Sequence, residues 1–362
     1  MPQPDNALNQ PTAHLNAIGT AVPGHDIHQA FIGWAETRIA DPRERALFRR
    51  MADRSGIAHR WSVLPRGANG ESPVEADGFY AAPTLPGTGA RMALYGEHAP
   101  GLAEAAVAGL GPLGAISHLV VASCTGFIAP GIDQILAARL GLGGAVERTL
   151  VGFMGCYAAV AALRVAHHIV RSEPDARVLV VTIELSSLHL QPESSIEPLL
   201  AMLQFGDGAA AAIVSAEPAG FALDGFFAAT LPESEELIRW TIGDQGFAMH
   251  LSGEVPARIG QALAGPEFRA QLLGGRAVDA IDAWAVHAGG RSILDAVGHG
   301  LGLAGHALDA SRAVLADHGN MSSSTLMFVL AALLADERRQ EGIAMAFGPG
   351  LAAEGFRFAR AR

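Results

Sequence analysis

Continuous apolar runs alternate along this chain with longer, half-apolar segments. "HLNAIGTAVPG" (14–24), "ISHLVVASCTG" (116–126), "ARVLVVTIEL" (176–185), "AIDAWAVHAGG" (280–290) and "GIAMAFGPG" (342–350) show little polar alternation. Such runs predict strands, and the β-branched run of 176–185 predicts one buried on both faces. Segments at 28–60, 91–109, 129–142, 157 onward and 255–273 read as helices. Residues 64–90, rich in Gly and Pro, read as an irregular loop. "FGDGAAAAIVSAE" (205–217) reads as a Gly-Asp-Gly turn entering a strand, and 221–230 and 246–252 as further strands. The chain closes with two strands around the Gly-Pro-Gly turn of 348–350.

The runs echo one another. "HLVVASCTG" at 118–126 resembles "DAWAVHAGG" at 282–290, "GFMGCYAAVAAL" at 152–163 resembles "GNMSSSTLMFVL" at 319–330, and "VLVVTIE" at 178 resembles "IAMAFGPG" at 343. The separations are 164, 167 and about 165 residues. A nearly constant offset predicts two copies of one α/β unit. The expected division is a flexible N-terminus at 1–13, one half at 14–217 and a second at 218–362.

Composition narrows the function. Of 362 residues, 50% are hydrophobic and 17% charged, which is enough apolar material for a large core and excludes a disordered chain. The 43 glycines, with many alanines, predict closely packed backbones. A net charge of −11 argues against general nucleic-acid binding. All 25 basic residues are arginine, so lysine Schiff bases and a Walker A lysine are excluded. The polar, Pro-rich start carries no signal-peptide pattern, and no run suggests a membrane span. Two cysteines 32 positions apart make no disulfide framework, and the simplest compartment is a reduced, cytoplasmic one.

Three residues at the run ends draw attention. Cys156 lies at a glycine-lined corner ahead of an alanine-rich helix that starts near Tyr157. A helix N-terminus lowers a thiol's pKa, so the corner suits a nucleophile, although a free cysteine also serves as a small buried hydrophobe. His287 ends a strand in the second copy, where open α/β sheets present ligands. Asn320 sits in the copy of the cysteine corner, and its plain alternative is a helix cap. Together they offer a nucleophile, a base or donor, and a neutral donor. The order Cys, His, Asn also occurs in papain-like proteases, but a mid-chain cysteine among parallel-type strands, with no disulfide set, does not fit them.

"GC" opening a helix, "FGDGAAA", "WAVHAGG", "HGNMSSST" and "AFGPGL", in that order, resemble the type III polyketide synthases, the chalcone-synthase-like enzymes, in a bacterial form. The resemblance runs from about residue 15 to the C-terminus and implies a thiolase-like fold of two duplicated α/β halves in five αβαβα layers. It implies an acyltransferase that loads an acyl-CoA starter on Cys156, extends it iteratively with malonyl-CoA, and cyclises the product to a pyrone, resorcinol or phloroglucinol. His287 and Asn320 would hold the thioester carbonyl and the enolate. Phe205 would be a gatekeeper beside the coenzyme A tunnel, and Phe347–Leu351 a scaffold loop. Coenzyme A thioesters would be substrates, with no metal or other cofactor, and the enzyme would be a homodimer.

Arg50 and Arg54 match basic positions at the tunnel mouth, with a solvated helix face as the alternative reading; a third such position is Leu47 here, its role open to Arg49 or Arg43. Cavity positions of the plant enzymes correspond to Cys124, His189, Trp240, Met249 and Ser322, and the methionine that plant members lend across the dimer corresponds to Ala129. Trp240 replaces a glycine and should fill space, while Met249 and Ala129 should reopen it. Cys124 is either a participant or a small buried residue. The competing enzyme is a β-ketoacyl-carrier-protein synthase III, which shares the Cys/His/Asn set but condenses once.

Overall fold

The computed structural model describes residues 11–66, 73–74, 78–81 and 84–361. The N-terminal segment expected to be flexible lies mostly outside them, as does part of the loop read at 64–90.

Nine strands form one mixed sheet in the order Ala283–Val286, Glu341–Gly348, Ala352–Arg360, Phe221–Thr230, His14–Ala21, Asp207–Ser215, Arg177–Leu185, His118–Ser123, Glu147–Gly152. The order is a duplication. His118–Ser123 pairs parallel with Arg177–Leu185, which pairs antiparallel with Asp207–Ser215, which pairs antiparallel with His14–Ala21. In the second copy Ala283–Val286, Glu341–Gly348, Ala352–Arg360 and Phe221–Thr230 follow with the same orientations. The halves join where His14 faces Ala222 and Leu15 faces Phe221. Both strand pairs of the sequence echo, and the helices Ala158–Ser172 and Ser323–Ala335, therefore occupy equivalent positions.

Three cores separate the layers. Alternate residues of each strand face opposite ways, so Val120, Ala122, Val178, Val180, Ala210 and Ala212 point into a central core. Ala283, Ala285, Ala344 and Ala346 meet them from the other half, and the two equivalent helices lie between. The intervening residues, Leu119, Val121, Leu179 and Val181 in one half and Trp284, Val286, Ile343 and Met345 in the other, face two outer cores. Burial on both faces explains the unbroken apolar runs. The helix Ser323–Ala335 is buried from Ser323 through Leu330, as its all-round apolar sequence requires.

Two helices expected to be continuous are broken. Residues 28–60 form His28–Arg38 and Pro42–Asp53, because the Asp41 carboxylate caps the second at Arg43 N–H (2.7 Å) and Pro42 occupies its first turn. Residues 255–273 form Val255–Ala264 and Pro266–Leu273, interrupted at Gly265-Pro266. The strand expected at 246–252 is half of a hairpin with Ile238–Gly243, which pairs Trp240 with Met249.

Candidate active site

The nucleophile corner is built on Gly155. Its φ of +75° is a conformation that favours glycine, and a Cβ there would lie 2.5 Å from Pro349 Cδ. The corner and the Gly-Pro-Gly loop therefore interlock. Cys156 follows in a one-turn 3-10 helix, Gly155–Tyr157, and the α-helix starts at Ala158 rather than at Tyr157. The copy of Gly155 is Ser322, also at positive φ (+49°).

Cys156, His287 and Asn320 line one cavity of about 720 Å³, its mouth included, together with Phe205, Cys124, Ser322, Trp240, Met249 and the Phe347–Pro349 loop. His287 ends its strand with its N–H on Met345 O (2.9 Å), and its side chain is 1% exposed. Neither ring nitrogen has a protein partner, so both are available to a ligand. Burial lowers its pKa to about 3. Burial also pushes the Cys156 thiol up to about 12, despite Ser322 Oγ at 3.8 Å. This reverses the expectation of a helix-lowered thiol, because desolvation outweighs the helix end. A thiolate and an imidazolium are therefore each disfavoured here.

Asn320 is oriented by its own backbone. Its Oδ1 accepts from Ser322 N–H (2.8 Å) and Thr325 Oγ1 (3.4 Å), which leaves the NH₂ group to donate; one contact is to Gly289 O at 3.3 Å. Its plain reading as a helix cap is incomplete, since the Ser323–Ala335 helix has Ser322 at its N-cap.

One residue at this site had no role in the sequence reading. Glu184, fully buried, accepts from Ser323 Oγ (2.5 Å), Thr125 Oγ1 (2.8 Å), Cys124 N–H (3.0 Å) and Cys124 Sγ (3.4 Å). Its signal was a lone acid in an apolar run. Burial and Glu184 raise the Cys124 thiol well above its ordinary range, so Cys124 stays protonated. A chain of contacts runs from Glu184 through Cys124 to Ser322 Oγ (3.2 Å) and on to Cys156. Asp207 of "FGDG" is likewise a brace. It accepts from Val63 N–H, Ser187 N–H and Ser187 Oγ at 2.7–2.8 Å, and burial raises its pKa to about 6.

Ala129, expected to match a residue lent across a dimer, is exposed on the surface beside Phe127 and lines neither large cavity of its own chain. His189 lies behind the cavity: Nε2–H donates to Thr125 O (2.7 Å), Nδ1 accepts from Phe247 N–H (3.1 Å), and the ring stacks on Phe247. Arg50 and Arg54 are exposed at the end of the Pro42–Asp53 helix, and Arg54 O accepts from Arg291 (3.1 Å). Arg291 opens the helix whose Ile293 lines the cavity. Arg49 is engaged with Glu36 through two 2.6 Å bonds.

The description "Chalcone and stilbene synthases, N-terminal domain" matches residues 4–218, and the corresponding C-terminal domain matches 225–360. The chain belongs to the chalcone and stilbene synthase family. This type III polyketide synthase is 33% identical to "Alpha-pyrone synthesis polyketide synthase-like Pks18" of Mycobacterium tuberculosis over 96% of this chain and 91% of that one. It is 34% identical to "Type III polyketide synthase C" of Arabidopsis thaliana, over 67% and 66% of the two chains. Among solved structures it resembles PKS-I of the brown alga Ectocarpus siliculosus, with a TM-score of 0.85 at 30% identity over 97% and 99%. It also resembles the C-terminal type III polyketide synthase domain of Steely1 from Dictyostelium, with a TM-score of 0.87 at 27% identity over 97% and 100%. The synthase thus has the expected thiolase-like fold and is a Claisen-condensing acyltransferase. Among its described residues no helix is long and apolar enough to cross a membrane.

Proposed function

We propose that Cys156 takes the starter acyl group and that His287 and Asn320 stabilise the charge formed when malonyl-CoA loses carbon dioxide. The observation that carries this reading is the orientation of Asn320, whose Oδ1 is bound at Ser322 N–H while its NH₂ can donate in the cavity that Cys156 and His287 share.

The steps follow from these groups. The Cys156 proton passes to His287 as the sulfur attacks the starter thioester, and coenzyme A leaves as the thiol. Malonyl-CoA then decarboxylates, and the carbon–carbon bonding pair becomes an enolate on the thioester oxygen. The Asn320 amide and one His287 N–H donate to that oxygen; a neutral amide does so without depending on pH, and one such donor is worth about 3–4 kcal/mol in a dry site. The enolate carbon attacks the Cys156 thioester and Cys156 leaves as the thiolate, so the lengthened chain sits on the extender's coenzyme A; reattack by Cys156, with coenzyme A leaving as the thiol, reloads it for the next round.

Arg50 and Arg54 would receive coenzyme A phosphates at the mouth. Phe205, Cys124, Ser322, Trp240 and Met249 would shape the starter, and the two halves would divide at 217/218. The relative named for α-pyrone synthesis makes a pyrone the first product to look for. A homodimer is favoured by an exposed apolar face. The edge strand Glu147–Gly152 is open to solvent, and Phe127 (69% exposed), Leu150 (50%) and Phe153 cluster beside it.

The test is product and acyl-enzyme mass after incubation with malonyl-CoA and a panel of acyl-CoA starters. Two or more malonyl-derived units per product are expected, and one unit would indicate a single condensation. Cys156→Ala should abolish both acyl-enzyme and product; continued condensation in that variant would exclude Cys156.

A further inference from the structure

The helix Pro42–Asp53 buries Phe48 and Ala52 and exposes its opposite face. Residues at i, i+4, i+7 and i+11 share one stripe of a helix. Here these are Arg43, Leu47, Arg50 and Arg54, with Met51 alongside. All five are exposed, Leu47 at 37% and Met51 at 44%. Among the described residues, the guanidinium groups of Arg43, Arg50 and Arg54 make no ion pair or hydrogen bond. Their neighbours are engaged instead: Arg45 donates to Ile39 O (2.9 Å) and Arg49 to Glu36 (2.6 Å). The helix carboxylates Glu44 and Asp53 fall on the flanks of the stripe, one on each side.

The stripe is cationic and apolar on a chain of net charge −11. An extended anionic partner, such as a lipid sheet or a nucleic acid, would meet the rest of that acidic surface as well; a compact acidic protein meets the stripe alone. Free arginines suffice for phosphate, but Leu47 and Met51 gain nothing from it. Apolar side chains among cations gain from a partner that brings apolar groups of its own, and Arg and Met are enriched where proteins meet. The end of the stripe adjoins the catalytic cavity. Arg54 O accepts from Arg291 Nη1 (3.1 Å), and Gly289 and Ile293, two residues to either side of Arg291, line the cavity that holds Cys156.

We propose that this stripe docks an acidic carrier domain, a small helical protein that holds the starter as a thioester on a phosphopantetheine arm. The inference rests on Cys156 as acyl acceptor and adds the partner that delivers the acyl group. Carboxylates of the carrier pair with Arg43, Arg50 and Arg54, and an apolar residue between them packs on Leu47 and Met51. The reaction is that of a coenzyme A thioester, which has the same arm. Cys156 Sγ attacks the thioester carbonyl, the bond from that carbon to the arm's sulfur breaks, and the arm leaves as the thiol with the proton that Cys156 gave up. Opposite charges speed the encounter, and the tether raises the local concentration of thioester at the cavity.

The experiment compares loading of Cys156 from octanoyl-CoA and from an octanoyl-loaded bacterial fatty-acid acyl carrier protein, followed by acyl-enzyme mass. In the wild-type enzyme the second-order rate constant should be about tenfold or more higher from the carrier, and the advantage should shrink as salt is raised. Met51→Glu should lower loading from the carrier by about tenfold or more while loading from octanoyl-CoA continues as before, and Met51→Leu should behave as wild type with both donors. Equal wild-type rates from the two donors would overturn the proposal, as would equal losses from both in Met51→Glu. Binding to phosphatidylglycerol vesicles that Met51→Glu abolishes, with carrier loading unchanged, would assign the stripe to a lipid surface instead. Dissociation of an oligomer in Met51→Glu, seen by sedimentation, would assign it to a second copy of the chain. If only octanoyl-CoA loads Cys156, the docking proposal fails alone; if neither donor loads it, the acceptor reading fails and the proposal falls with it.

Discussion

Phe205 and Asn320 form a parallel β-bridge: Asn320 N–H donates to Gln204 O (2.8 Å), and Gly206 N–H donates to Asn320 O (3.0 Å). The aromatic wall between the two cavities and the carboxamide beside Cys156 are thus held by one piece of backbone. Gly319 sets that bridge. Its φ of +66° favours glycine, and a Cβ would lie 2.8 Å from Gln204 O and 2.9 Å from Arg60 Cγ. Gly319→Ala should cost about 1–3 kcal/mol of stability and lower kcat at least tenfold, read by denaturant unfolding and product formation. An unchanged kcat would mean that the bridge does not position Asn320.

Asn320→Asp keeps the acceptor for Ser322 N–H but places a carboxylate where the enolate charge forms. Malonyl-CoA decarboxylation should fall by about 10²–10³-fold, the range for a lost oxyanion donor, while Cys156 still becomes acylated. Carbon dioxide release and acyl-enzyme mass separate the two steps. Equal loss of both would assign Asn320 to the starter step as well.

His287→Ala removes the proton acceptor from a thiol that burial alone holds at about 12. Iodoacetamide should alkylate wild-type Cys156 at neutral pH, but the variant only as pH rises well above neutral. Peptide mass distinguishes Cys156 from Cys124. Superimposable pH profiles would show that the pair does not share a proton.

Leu150→Glu puts a charge on the exposed apolar face formed by Leu150, Phe127 and Phe153. Because Phe153 also lines the catalytic cavity, dissociation to a monomer, seen by sedimentation, should be accompanied by lost activity. A variant that remains dimeric would put the interface elsewhere.

Acid should destabilise the fold between pH 6.5 and about 4. Burial depresses His28, His167 and His189 to about 4 and His287 to about 3. In that window the unfolded chain binds protons that the folded one refuses, so stability is fully present above pH 6.5 and is lost as pH falls. Asp207, raised to about 6, opposes this, because the folded state binds its proton first. Glu184 and Glu354, also raised by burial, oppose it too, while His14 and His318, also lowered by burial, add to it. Six such histidines against three such acids predict a net fall in Tm from pH 7 to pH 4.5. A Tm that rises across this range would show that the acids dominate.

Local sequence carried the duplication and the catalytic corner. Strands buried on both faces must be apolar at every position, so their runs and spacing were visible, and the repeat identified Ser322-Ser323 as the counterpart of Gly155-Cys156. Breaks at Asp41-Pro42 and Gly265-Pro266 were also written locally, in residues that stop one helix and start another. Which side chains share a cavity was decided only by tertiary structure. His189, stacked on Phe247, lines the adjoining cavity instead of the one that holds Cys156. Glu184 entered it from a strand where its charge looked misplaced. The thiol's protonation was likewise decided in three dimensions: a helix end is a local feature, but desolvation is set by everything packed around the sulfur, and here it is the larger effect.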